Sequence, residues 1–327
     1  MMRGLDATAT PAPKSGFEGL ELSRGPDGFR RGVLSLRKED GRRIRCLLTA
    51  PAESSRGLLV VLPGLGRTIR HSCAVAFAAA QHGYASLRFD PTDHSGDSDG
   101  EIVDGTLSGV AADLRFVCES VREWGWATPI FVAASSSLAR AAIRTAARGL
   151  PADGLVLTFP VVHLDRTLQA VSGEDLFTAY REQRIQPADP VQILTHQMSG
   201  RFLADALEAD YVGLDATRAD LRETRMPVAA IVAENDDWIA VDDVLLALEP
   251  ERPERHVFVL ENADHDSYSF GFIRAITQST MEAISRMSGD TAFDRDRYDV
   301  TFSVLSSAIR TEKQILNQAR ESWSDDE

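Results

Sequence analysis

Three residue types that together perform nucleophilic acyl transfer stand at the ends of three apolar runs. The run 130–134 (IFVAA) passes straight into Ser135-Ser136-Ser137 and then into a helical pattern. The run 227–233 (PVAAIVA) ends in Glu234-Asn235-Asp236-Asp237-Trp238, and the run 256–260 (HVFVL) is soon followed by Asn262-Ala263-Asp264-His265-Asp266. A serine hydroxyl becomes a competent nucleophile when an imidazole takes its proton, and a carboxylate on the other ring nitrogen orients that base. Each residue also has an ordinary use: serines begin helices, aspartates cap them, and loop histidines are solvated. Their order (Ser, then Asp, then His) at the ends of buried strands selects the catalytic reading, with Asp236 as the acid and Asp237 as the alternative.

Which serine attacks depends on the turn. A nucleophile elbow is a sharp, strained strand-to-helix turn, so the residues two before and two after the nucleophile must be small. Ser135 meets this with Ala133 and Ser137. Ser136 would put Leu138 in the tight position, and Ser137 would need a strand two residues longer. The expected catalytic set is therefore Ser135, Asp236 and His265. Pro63-Gly64-Leu65-Gly66 follows the first buried strand, where Leu65 could offer a backbone N–H to the oxyanion, with the N–H of Ser136 as its partner. His71, His82 and His94 have no strand-end placement and read as surface or loop residues.

Repeated strand–helix–strand order positions these groups. Residues 32–51 read as a hairpin turning at Asp40-Gly41, and buried runs follow at 57–64, 84–90, 129–134, 154–160, 227–233 and 256–260. Between two of them Leu107, Val110, Leu114, Val117, Val121 and Trp124 form one helical stripe, closed by Gly125. The fold class is therefore α/β, a mostly parallel sheet with helices on both faces. Four regions follow: a flexible leader (1–29), a core in two pieces (30–162 and 227–290), a helical cap (163–226) and a C-terminal helical extension (291–327). The cap carries no strand pattern, and Leu168, Val171, Leu176, Phe177, Ile193, Phe202, Leu203 and Leu207 could line a tunnel or simply pack on the sheet.

Composition narrows the partners. The 327 residues include 35 basic and 49 acidic side chains, a net charge of −14 that repels phosphate backbones. Cys46, Cys73 and Cys118 are odd in number, and no CxxC pair suggests a disulfide framework or a zinc site. Neither a signal peptide nor a membrane-spanning run is found, so a cytoplasmic chain is expected, and the serine chemistry calls for no metal or organic cofactor.

AASSSLAR, ENDDWIAVDDV and ADHD, with PGLGRTIRH after the first core strand, resemble the acyl transferase of the bacterial bioluminescence fatty-acid reductase system. The likeness extends from about residue 32 to the terminal helix and implies an α/β-hydrolase that removes long acyl chains from acyl carrier protein or coenzyme A thioesters. It also implies an A-x-S-x-S elbow, an acid at the first Asp of N-D-D-W (Asp236) and a histidine in an S-H-D-type turn (His265). The loop Asp90…Gly96-Asp97-Ser98-Asp99-Gly100 resembles a structural loop of α/β-hydrolases. The extra serine shifts the arginine after the elbow (Arg140) out of the family's register. The expected activity is serine-dependent acyl-thioester transfer or hydrolysis, with water or an acceptor protein taking the acyl group. A carboxylesterase and a noncatalytic binding protein on the same scaffold are the alternatives. An acidic carrier protein would need a basic patch, for which Arg42, Arg43 and Arg45, or Arg67 and Arg70, are candidates.

Overall fold

The computed structural model describes residues 17–18, 22–125, 129–265, 269–290, 293–294 and 301–324. Two short strands, β1 (Phe17–Glu18) and β2 (Ser23–Arg24), precede the hairpin β3 (Arg30–Arg37) and β4 (Arg43–Ala50). Then come β5 (Leu58–Leu62), α1 (Cys73–Gln81), β6 (Ala85–Phe89), α2 (Leu107–Glu123), β7 (Ile130–Ser135), α3 (Ser136–Ala147) and β8 (Gly154–Thr158). The inserted segment holds α4 (Leu164–Ser172), α5 (Leu176–Arg181), β9 (Pro190–Ile193), β10 (His196–Ser199), α6 (Arg201–Glu208) and α7 (Leu214–Glu223). After it follow β11 (Val228–Ala233), α8 (Val241–Leu248), β12 (Arg255–Leu260), α9 (Phe270–Ser288) and α10 (Phe302–Ser324).

The strand order is β1-β3-β4-β6-β5-β7-β8-β11-β12, with β2 also on β3. From β6 to β12 every neighbouring pair is parallel, and the hairpin side is antiparallel. Parallel strands buried on both faces read as continuous apolar runs, and β5, β6 and β11 are buried at every position. Helices cover both faces, α1 packing with α9 and α10, and α3 packing with α2 and α7. The α2 stripe faces the core, where Leu107, Val110, Leu114, Val117 and Val121 are buried. Thr106 caps the helix start by accepting the Gly109 N–H.

Two expectations change. The leader is not wholly loose, because β1 and β2 pair antiparallel with β3; its other residues up to 21 lie outside the described residues. The segment between β8 and β11 is not purely helical, because β9 and β10 form an antiparallel hairpin turning at Leu194-Thr195. Pro190 opens β9, a strand end where its missing N–H costs least. Within the same segment α7 packs between α3 and α8, in the helical layer over the sheet. The charged break between α9 and α10 lies mostly outside the described residues.

The C-terminal helix is tied down by charge. Glu312, buried, accepts from Arg88 Nη1 and Nη2 at 2.9 and 2.7 Å, and from Arg31 Nε at 3.4 Å. Arg31 in turn grips Asp27 through two bonds of 2.8 and 2.7 Å. Burial works against the Glu312 carboxylate, but the charges of Arg88 and Arg31 and the hydrogen bonds to the group together outweigh it and hold the group below the usual range. Removing one member of such a cluster leaves an uncompensated buried charge. Glu312→Gln is expected to cost about 3–5 kcal/mol of folding stability. Chemical denaturation measures this, and a loss under about 1 kcal/mol, the worth of an exposed ion pair, would contradict it.

Candidate active site

The three expected strand ends converge. His265, after β12, places its Nε2 3.1 Å from Ser136 Oγ and its Nδ1 2.8 Å from Asp236 Oδ2. The Asp236 side chain, 2% exposed, follows β11, and its Oδ1 accepts the N–H groups of Trp238 and Ile239, each at 2.9 Å. Those two bonds fix the carboxylate's rotation, so Oδ2 faces the imidazole. The Trp238 and Phe159 rings lie 4.5 and 5.6 Å from the imidazole, which leaves its side chain only 9% exposed. Asp237, the alternative acid, is exposed.

The serine at the imidazole is Ser136 and not Ser135. β7 runs one residue further than the apolar run suggests, and Ser135 is its last member, paired in register with Thr158. Its backbone is ordinary strand (φ −124, ψ 146). The sharp turn falls on Ser136, whose φ of +55 lies in the left-handed region that non-glycine residues seldom occupy. The size rule that disfavoured Ser136 is met differently. Leu138 turns inward and is 2% exposed, while the crowding at the turn is relieved by Gly64. A Cβ on Gly64 would stand 3.3 Å from Ser136 Cβ. The Ser136 carbonyl, accepting the Val161 N–H at 3.1 Å, holds the turn from the other side.

This shift moves the expected amide pair as well. With Ser136 supplying the hydroxyl, the following N–H is that of Ser137, in the first turn of α3, where amides have no intrahelical acceptor. Leu65 lines the same cavity, and its N–H has no acceptor among the described residues. The next amide is already committed, since Gly66 N–H donates to His94 Nε2 at 3.1 Å. His94 is thus a loop histidine, as expected, but not a surface one. It is buried, burial lowers its pKa to about 4, and the neutral ring accepts the Gly66 proton. Gly66 has φ +69, and a Cβ there would strike the His196 ring of the β9–β10 hairpin at 1.7 Å. The hairpin thus seats directly on the Gly64–Gly66 loop. The Asp90 loop is structural: Asp90 accepts from Ile69 N–H at 2.8 Å and Asp97 N–H at 3.0 Å, and burial pushes its pKa up to about 7.

Ser136 and His265 open onto a cavity of about 380 Å³, within the size range of small-molecule sites, about 300–1,000 Å³. Of the tunnel candidates, Leu168, Val171, Ile193 and Phe202 line it; Leu176, Phe177 and Leu203 pack in the core instead, and Leu207 packs against that core. Further lining comes from α1, α9 and α10, which the sequence reading did not connect with the site. Arg140 lies outside the cavity, buried and bonded to Asp220 at 2.7 Å. Among the described residues no cluster of His, Cys, Asp and Glu could hold a metal ion.

A mostly parallel sheet with this site at its strand ends defines an α/β-hydrolase fold, and solved structures agree. The alpha/beta hydrolase GrgF from Penicillium sp. sh18 aligns with a TM-score of 0.63 at 17% identity, covering 79% of this chain and 99% of its own. Est1E from Butyrivibrio proteoclasticus, solved with ferulic acid bound, aligns with a TM-score of 0.59 at 18% identity, covering 76% and 98%. Within that class the chain belongs to the acyl transferase family, whose model matches residues 33–320. It is similar to the acyl transferase of Photorhabdus luminescens, 25% identical over 284 residues (85% of this chain, 91% of the relative). It is also similar to that of Vibrio harveyi, 25% identical over 287 residues (86% and 92%). The protein is an enzyme acting on acyl groups.

Proposed function

We propose that the protein is a serine-dependent acyl transferase or thioesterase that cleaves acyl thioesters of acyl carrier protein or coenzyme A through an acyl-Ser136 intermediate. The observation that carries this reading is the bonded chain Ser136–His265–Asp236 at an apolar cavity. His265 Nε2 takes the Ser136 proton as Oγ attacks the carbonyl carbon. The oxyanion is held by the N–H groups of Leu65 and Ser137, each such donor being worth about 3 kcal/mol of barrier. As the C–S bond breaks, the imidazolium returns the proton to the departing sulfur. Water or an acceptor protein then attacks the acyl-serine, giving its proton to His265, and Ser136 leaves with it. No cofactor enters either half-reaction.

Position at the cavity favours one of the two candidate docking patches. Arg42 is paired with Asp40 and Asp93, Arg43 with Asp99, and Arg45 is buried with its guanidinium over the Trp323 ring. Arg67 and Arg70 line the cavity itself, and Arg70 is exposed there. They are the groups an acidic carrier would meet. Three buried free thiols, Cys46, Cys73 and Cys118, suit a reducing cytoplasm, and among the described residues no helix is long and apolar enough to cross a membrane.

Turnover of a matched thioester and oxyester of one acyl chain tests the substrate class. Purified protein should hydrolyse the thioester with the larger kcat/KM, and Ser136→Ala should lose both activities. Exclusive turnover of the oxyester would make the protein a carboxylesterase.

A further inference from the structure

The C-terminal helix forms part of the cavity's wall. Leu305 and Ile309, one turn apart on α10, line the cavity beside Ile273 and Ile276 of α9. Thr277, the polar α9 residue that lines the cavity, donates its hydroxyl to the carbonyls of Ile273 and Arg274, both at 2.8 Å. The cavity-lining residues of α9 and α10 therefore offer hydrocarbon to a ligand and no free side-chain hydrogen-bond donor. The apolar surface continues outward: Ile309 is 47% exposed, Phe302 on the same helix is 72% exposed, and Leu194 of the β9–β10 turn, which also lines the cavity, is 38% exposed. Exposed apolar surface rimming a cavity marks a ligand-binding groove.

The helix cannot drift to accommodate a longer chain. Glu312, less than one turn beyond Ile309, is locked by Arg88 and Arg31 from the sheet. Arg320 of the same helix pairs with Asp97 at 2.6 Å, and Trp323 lies under the Arg45 guanidinium at 4.0 Å. A wall pinned at three places behaves as a fixed stop, so bulk added to it must come out of the ligand's space.

We propose that α10 gauges the length of the bound acyl chain, with Leu305 and Ile309 as the specificity-determining residues. This rests on the acyl-transfer reading of the same cavity and adds which element discriminates between long and short chains.

The test compares wild type with Leu305→Trp and Ile309→Trp. Two ratios are measured: kcat/KM for hexadecanoyl over butanoyl p-nitrophenyl esters, and the affinity for hexadecanoate over octanoate from displacement of the fluorescent fatty acid cis-parinaric acid. Both ratios are expected to fall about tenfold or more, since a few methylenes of pocket discriminate by that much. Ile309 lines the cavity and is half exposed, so a Trp ring there takes ligand space without repacking the buried core, and the outcome does not hang on Leu305→Trp folding. Ratios within about twofold of wild type in the Ile309 variant would overturn the proposal. The displacement assay, repeated on Ser136→Ala, needs no chemistry. A failed catalytic reading would show as absent ester turnover, with the chain-length ratio still measured.

Discussion

Ser136→Ala lowers acyl turnover by about 10⁵- to 10⁶-fold, the loss expected when a serine nucleophile is deleted from an enzyme of this type. Ser135→Ala and Ser137→Ala each keep activity within about a hundredfold of wild type, because neither hydroxyl accepts or donates at the imidazole. The contrast follows from geometry. Ser136 Oγ lies 3.1 Å from His265 Nε2, on a residue with φ +55 that the packing of Gly64 and Val161 holds in place. Ser135 belongs to the strand. Single-turnover rates with an acyl thioester measure the difference. A Ser135→Ala enzyme as dead as Ser136→Ala would put the attacking hydroxyl one residue earlier.

Asp236→Asn should be the next most damaging change, at about 10⁴-fold in kcat. Asp236 Oδ1 accepts two amide protons, from Trp238 and Ile239, while Oδ2 faces His265 Nδ1. An asparagine must keep its carbonyl oxygen toward those two amides, which turns its NH₂ toward Nδ1. That nitrogen then has to accept, the ring proton moves to Nε2, and Nε2 can no longer take a proton from Ser136. Folding stability should change little beside this. Asp237→Asn, at an exposed neighbour with no bond to the imidazole, serves as the control. Equal losses in kcat for the two variants would remove Asp236 from its proposed role.

Much of this arrangement was readable from residue order. Continuous apolar runs announce strands buried on both faces, and the sheet from β6 to β12 follows them closely. Asp236 and His265 were visible because strand ends in a parallel sheet gather at one edge, so residue type and position sufficed. The serine at the imidazole lies one residue beyond the expected one for a physical reason. Strand length at a buried end is set by the partner strand, and Thr158 extends the pairing to Ser135. The small-residue rule looked only along the chain, whereas the space at Ser136 comes from Gly64, some 70 positions earlier. His94 was unreadable because its ring accepts the Gly66 amide, a contact no spacing rule encodes. The α10 wall was hidden too, since the long-range pairing of Glu312 with Arg88 and Arg31 determines where that helix lies.

The account stands on covalent chemistry at one hydroxyl, and peptide mapping of the trapped adduct tests it most directly. The protein is incubated with an acyl thioester, quenched in acid during turnover, weighed intact and digested, with a fluorophosphonate as parallel label. The predicted result is one acyl group per chain, carried on Ser136, and phosphonylation of the same residue. An adduct on Ser135 or Ser137, or a chain that neither reagent modifies, would contradict it.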